Sequence, residues 1–590
     1  MGRGPHDEDK YEALRLFVAA LVGRLLARPA LLMAAGVRRE ARGERDKALG
    51  LYREALGLDG ANRGAWLALA NAVSVLALQC NDLVRFKEAV GAYHHALQDH
   101  PAWEPALRGL ARLYGDSGYH AEAAGILEGM VVDGQLPPDL CAGYASALDK
   151  LGNPELALHW NAKAGDGSPD LRLRSARLHA TLGDHSAVAK ELGQLVDAFP
   201  EWRDRARDVE VLSLARSGRL AQARDLHEQG GGLSRETIKP QGLVAPRQRD
   251  GAIRIVLAVW GAEYVASFLA TCLPSQLSPG NIPAIAESGQ TSYRIYTTAE
   301  GANLLRASET FSALTGTLPV ELVTFPLPAD GKASKYDIAN LCHRHAVLDA
   351  NLDGDTIIFL SPDSLISDGC LVRLAELRSQ GVEAVMISGL RVTKESALPE
   401  TLRLANAGSF RGAPALALLP RDMVKVILGH SHHSMGGSFL DAGFVNDFWS
   451  SLCVRANGSG LLLRQLHLHP LMVTPADRTM VPEGTIDATY VGEACGDWSR
   501  IHVVEDSDEL CGISWSSRSE NRHMMVYEEK PYSKAAWVAY LARRHITPFN
   551  LSLLRHRIRF HVDGTWRDWT DEEAASDRVV EEVLGEFGAR

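Results

Sequence analysis

The strongest constraint in this 590-residue chain is one spacing that recurs five times before residue 232. A glycine precedes a small apolar residue by five positions: Gly43–Ala48, Gly118–Ala123, Gly152–Ala157 and Gly218–Ala223, with Val188 after Gly183. Successive glycines lie 75, 34, 31 and 35 residues apart. The first interval resolves into two units if Trp66–Pro101 is a repeat with an insertion near Leu78–Val84. Apolar residues follow on a helical period (Tyr52 and Ala55, Leu127 and Met130, Leu192 and Leu195), and Pro101 and Pro200 close two units. A small residue lets two antiparallel helices approach, glycine makes the turn between them, and proline stops the second. One such pair cannot bury its apolar face, so pairs stack into a solenoid.

This pattern resembles the tetratricopeptide repeat, over about Pro29–Gln229. The resemblance implies a TPR-like α-solenoid over residues 29–232, behind an N-terminal helix at 1–28. It also implies a groove for a protein or peptide partner. Arg172, Arg174, Arg177, Arg203, Arg205 and Arg207 stand near the starts of two late repeats, where they would line a groove for an acidic tail or form a solvated helix face.

Gly230-Gly231-Gly232 ends the array, and residues 233–252 read as a linker or a wrapping strap with no apolar period. A different grammar then begins. Short apolar runs at Ile253–Trp260, Tyr293–Thr297, Val320–Phe325, Thr356–Ser361 and Ala384–Ser388 alternate with helical stretches at Tyr264–Leu273, Asn303–Thr315, Tyr336–Ala350 and Leu371–Gln380. This alternation predicts an α/β domain over 253–590, with a mostly parallel sheet, helices on both faces and a C-terminal helical tail. Such sheets hold ligands beyond the carboxyl ends of their strands, so candidate residues are those that follow strands. After the first strand stand Trp260, Gly261 and Tyr264, an aromatic surface for a base beside a glycine that permits backbone approach. After the second comes Thr297, and after the fourth Ser361-Pro362-Asp363-Ser364. Tyr336, Asn340 and His343 share one helix face. Neither a Gly-x-Gly-x-x-Gly run nor a phosphate-loop lysine motif is present.

An acidic residue ending IIFLSPD resembles the metal-binding carboxylate of GT-A glycosyltransferases, so the region Ile253–Gly564 looks GT-A-like. The family's Asp-x-Asp is reduced to Asp363, with Ser361 at the other position. The resemblance implies a metal shell of Asp363 and a late histidine, for which His469 in His467-Leu468-His469-Pro470 is the choice. It implies a divalent ion, Mn or Mg, bridging the diphosphate of a nucleotide-sugar. Trp260, Gly261, Tyr264, Thr297, Tyr336 and His343 would then contact the nucleotide. The run Leu440–Phe448 sets Asp441 and Asp447 among apolar residues, where a raised pKa suits a general base and an N-cap is the competing role. His430–His433 reads as a loop of solvated or phosphate-contacting histidines, and Glu505–Glu509 as a solvated acidic loop. The late tryptophans, Trp498, Trp515, Trp537, Trp566 and Trp569, suit sugar stacking, with core packing the default reading.

Net charge −11 argues against a nucleic-acid partner, which needs a basic surface. Arg15, Arg24 and Arg28 interrupt Leu14–Met33, so no membrane span is expected there. Eight scattered cysteines read as reduced thiols of a cytoplasmic protein. The expected protein is a glycosyltransferase whose repeat array captures a protein acceptor, an architecture similar to that of bacterial protein and flagellin glycosyltransferases. Two rivals stand beside it: a metal-independent two-lobed GT-B enzyme, and a non-catalytic scaffold that binds a nucleotide or sugar.

Overall fold

The computed structural model describes residues 29–80, 83–165, 167–240, 251–328, 334–440, 451–456, 458–484, 486–520 and 547–588. The helix expected at 1–28 lies outside them. The described residues form two compact units, 29–178 and 179–588.

The first unit is a TPR-like helical solenoid. Pro29–Ala41 pairs with Arg45–Leu58, Arg63–Cys80 with Leu83–Leu97, Glu104–Asp116 with His120–Gly129, and Pro138–Lys150 with Pro154–Lys163. The inter-helix glycines Gly43, Gly118 and Gly152 have φ of +76°, +82° and +75°, a left-handed turn that costs a side-chain-bearing residue free energy. Five residues on, Ala48, Ala123 and Ala157 are buried at the helix contact. Helices also approach where one lacks a side chain: a Cβ at Gly36 would come within 2.3 Å of the Tyr52 ring, and one at Gly109 within 2.6 Å of Tyr93. The insertion lies in the helix pair without a turn glycine, whose first helix runs to 18 residues against 13 in Glu104–Asp116.

The repeat continues into the second unit. Gly183 and Gly218 again have φ of +76°, and Val188 and Ala223 are buried. Arg203–Arg216 and Leu220–Gly231 form a further pair, and Val211, Ala215 and Ala223 belong to the same apolar core as the sheet that follows.

That sheet has eight strands: β1 (Ser234–Ile238), β2 (Ile253–Ala258), β3 (Thr291–Thr297), β4 (Val320–Thr324), β5 (Thr356–Leu360), β6 (Ala384–Ile387), β7 (His469–Val473) and β8 (Ile501–Val503). Their order is β1-β4-β3-β2-β5-β7-β6-β8. The middle strands β4, β3, β2 and β5 run parallel and are almost wholly buried, which explains their continuous apolar sequence. The sheet as a whole is mixed: β1 pairs antiparallel with β4, and β7 runs antiparallel between β5 and β6. β1 lies inside the segment expected to be a linker. Its sequence SRETI is exposed along nearly its whole length, so it carries no apolar signal.

Beyond residue 400 the described residues add smaller sheets. Asn406–Phe410 and Ala413–Ala417 form a hairpin, and Ser451–Ala456, Gly460–Gln465 and Ile558–His561 form an antiparallel trio. A third small sheet joins Ser364–Ile366, Gly512–Ser516 and Leu390–Thr393. Thr570–Gly588 is the C-terminal helix.

Candidate functional site

The chain runs from β2 outward through β3 to β4, then returns to place β5 on the other side of β2. A crevice opens beyond the carboxyl ends of strands where the order reverses in this way. A cleft of about 350 Å³ lies there. Its lining includes Trp260 and Tyr264 after β2, Asp363 after β5, Tyr336 and His343 from the helix Lys335–Asp353, and His469. Six of the sequence-selected residues therefore share one cavity.

His469 arrives by a route that the sequence did not suggest. The run Gly460–Gln465 before it belongs to the separate antiparallel trio, and His469 opens β7 rather than ending a parallel strand. Because β7 is antiparallel, its first residue lies level with Ile387, at the carboxyl end of β6, and so reaches the same rim as Asp363. The His469 ring is open to the cleft and donates a hydrogen bond to the Phe359 carbonyl. Surrounding protein pushes its pKa down, opposed by that bond and by the charge of Asp363. His343 is driven further, to about 4, by burial and then by its neighbour His469. Both imidazoles are therefore neutral at pH 7, and His343 Nδ1 is buried without a hydrogen-bond partner.

Asp363 is half-buried, accepts a hydrogen bond from the Ser361 hydroxyl, and its backbone carbonyl accepts one from the Trp515 amide at 2.7 Å. Tyr264 donates to Glu520 at 3.4 Å. Gly261 turns the chain between Trp260 and Glu263 with φ +80°, a conformation that favours glycine.

Two groups of expected residues stand apart. Thr297 does not line the cleft: its side chain is fully buried, in the space that a Cβ at Gly301 would fill, because β3 lies one strand away from the reversal. Asp441 and Asp447 lie outside the described residues.

Other lining residues were not selected from sequence: Lys335, Arg391, Lys394, Trp515 and Glu520. Arg391 and Trp515 come from neighbouring strands of the third small sheet, where Trp515 registers with Val392. Leu390–Thr393 alternates buried and exposed residues, with Arg391 outward, which was the available signal in a strand of four residues.

An ion at Asp363 and His469 has partial support in the donor set. A His469 ring held through one nitrogen by the Phe359 carbonyl could offer the other to an ion, an arrangement common in ligating histidines. Among the described residues, however, no third acidic, histidine or cysteine donor joins this pair within 4.8 Å. The triads that are so close lie elsewhere and are already neutralised. In Glu228, His345 and Asp349, the buried Asp349 meets Arg235 and Arg294 at 2.7 Å each. In Asp506, Asp508 and His561, Arg421 bonds to Asp508. The acidic run is thus an ion-paired connector rather than a solvated loop, with Glu505 on His556 and Glu509 on Arg373 and His502. His432 in the histidine tract is likewise buried, bonded to Ser434 and to the Ser517 carbonyl. Several of the late arginines are occupied too: Arg174 donates to the Ala142 carbonyl and Arg207 pairs with Asp204.

No protein-family model and no curated protein matches this chain. Solved structures that resemble it are repeat proteins. YrrB, described as a TPR protein with an unusual peptide-binding site, is 18% identical and covers 30% of this chain and 90% of its own, at TM-score 0.27. PilF of Pseudomonas aeruginosa is 19% identical, covering 35% and 90%, at TM-score 0.28. The solenoid assignment rests on the turn glycines and helix pairs described above. Among the described residues no helix is long and apolar enough to cross a membrane. Cys141, Cys272, Cys342, Cys370, Cys453, Cys495 and Cys511 are buried.

Proposed function

We propose that the second unit is a GT-A-like glycosyltransferase domain acting on a protein acceptor held by the repeat array. The observation that carries this reading is the convergence of Trp260, Tyr264, Asp363 and His469 in one cleft at the point where strand order reverses. Trp260 and Tyr264 offer a stacking surface for a nucleobase, with Tyr336 and His343 on the opposite helix. Asp363 and His469 would hold a divalent ion, and the chemistry that ion supplies is positive charge against a leaving diphosphate. In the transfer, the bond from the sugar's anomeric carbon to the diphosphate oxygen breaks and its electron pair leaves with the diphosphate. The acceptor hydroxyl bonds to that carbon and gives its proton to a base, the role proposed for Asp441 or Asp447. The repeat array fits the acceptor role because stacked helix pairs present a long concave surface.

Beyond residue 400 the described strands either join the same eight-stranded sheet or form small antiparallel or mixed sheets, which favours this layout over a two-lobed enzyme. The scaffold reading keeps one specific support, the serine at position 361 where a second carboxylate is expected.

The test is release of nucleoside diphosphate from a panel of nucleotide-sugars, with manganese and with chelator. Turnover of at least one donor by the full chain, lost in Asp363→Ala, is expected. Tight nucleotide binding without turnover would favour the scaffold.

A further inference from the structure

The cleft contains three cations and three carboxylates that leave each other alone. Lys335, Arg391 and Lys394 line it together with Glu263, Asp363 and Glu520. No ion pair joins any of these six among the described residues. Elsewhere in the same unit, charges pair wherever they meet: Arg294 with Glu321 and Asp349, Arg421 with Asp508, Arg373 with Glu509. Opposite charges placed for stability would be expected to close on each other, because contact strengthens their attraction. Cations held apart in a cavity are instead available to an anion.

Arg391 and Lys394 are the best placed. Arg391 faces outward from Leu390–Thr393, whose Leu390 and Val392 are buried on the other side. One nitrogen, Nη1, donates to the Ser516 hydroxyl at 2.9 Å. That bond orients the guanidinium and leaves most of its five donors free. Lys394, three residues on, is half-buried in the cleft wall.

We infer that Arg391 and Lys394 form a seat for the diphosphate of a nucleoside diphosphate that holds it without a divalent ion. This rests on the glycosyltransferase reading of the cleft and adds an anchor to it: the diphosphate is gripped by side chains carried on, or just after, the strand paired with Gly512–Ser516, whose Trp515 amide bonds to the Asp363 carbonyl. Lys335 completes the positive lining on the helix side, beside Tyr336.

Calorimetric titration of the full chain with uridine, guanosine, cytidine and adenosine diphosphates, in EDTA and then in manganese, tests it. At least one should bind in EDTA. Lys394→Gln and Arg391→Gln should each weaken that binding tenfold or more, Lys394→Arg should keep most of it, and Lys47→Gln in the repeat array should not change it. Melting curves of each variant separate lost contacts from lost folding. Binding that appears only with manganese would overturn the inference and leave the transferase reading standing, as would wild-type affinity in Lys394→Gln. If none of the four binds in either condition, the transferase reading falls and takes this inference with it.

Discussion

The two units of this protein are held together by different physics. Among the described residues of 29–178, the buried polar side chains are Ser74 and Asn161, and no acidic, basic or histidine side chain is buried. Residues 179–588 bury Arg254, Arg294, Arg344, Arg464, Asp349, Asp355, Glu383, His227 and His345. A solenoid buries the same kind of small-residue contact again and again, each between neighbours, so damage stays local. The α/β unit depends on charges taken out of water and satisfied by partners far away in sequence. Asp349 alone meets Arg235 from β1 and Arg294 from β3, and Glu228 bonds to His345, which in turn meets the Tyr296 hydroxyl at 2.6 Å. Burial opposes the ionised form of Asp349, yet the arginines and His345 hold its carboxyl well below the usual range. Removing one member strands the others, and breaking a buried pair costs far more than a surface pair contributes.

That contrast can be broken experimentally. The largest effect expected is from Asp349→Ala, which removes the buried carboxylate shared by Arg235 and Arg294, leaves them only the Glu228 and Glu321 carboxylates, and should destabilise 179–588 by about 3 kcal/mol. Hydrogen exchange read by mass spectrometry should quicken throughout that unit and leave 29–178 unchanged. Equal quickening in both units would show that the division is wrong.

Acid gives the next effect. Burial lowers the pKa of His227 to about 4, opposed by its bond to the Leu341 carbonyl. Between pH 6.5 and 4 the unfolded chain takes up a proton that the folded chain refuses. The stability from this histidine is present above pH 6.5 and is lost as the pH falls to 4, about 3 kcal/mol in all. His343 acts in the same direction over the same window. A calorimetric melt of the full chain should show the transition of 179–588 moving down across this range. His227→Gln should blunt the shift.

The smallest effects belong to the array. Ala157→Leu overpacks a helix contact where the native side chain is fully buried, at about 1–3 kcal/mol. Gly152→Ala meets no atom within 4 Å, so its cost of about 1 kcal/mol is purely that of the left-handed turn. Both should soften exchange in 138–163 without touching the cleft. A larger loss from Gly152→Ala than from Ala157→Leu would invert the proposed source of repeat stability.

The same contrast explains what could be read in advance. The array was legible because its glycine turn and buried alanine sit five residues apart, within one local motif. The five parallel or central strands were legible because burial on both faces leaves an unbroken apolar run. Trp260 and Asp363 followed from strand ends alone. Arg391, Lys394 and Trp515 did not, because they reach the cleft in or just after strands that pair Leu390–Thr393 with Gly512–Ser516, more than a hundred residues further along the chain. Thr297 was misjudged because a strand end one place from the reversal points into packing, not into the crevice. β1 was invisible because an edge strand buries almost nothing and so needs no apolar residues.

That polar edge strand has a consequence for anyone dividing the gene. The apolar sequence begins at Ile253, which invites a cut there. Such a cut removes β1 and bares the main-chain donors and acceptors of β4, whose five residues pair with Ser234–Ile238. An unpaired edge on a buried, strongly apolar strand is a template for a second copy. The short charged segment is a sealed hem: without it, the isolated α/β half would be expected to stitch itself, edge to edge, into oligomers.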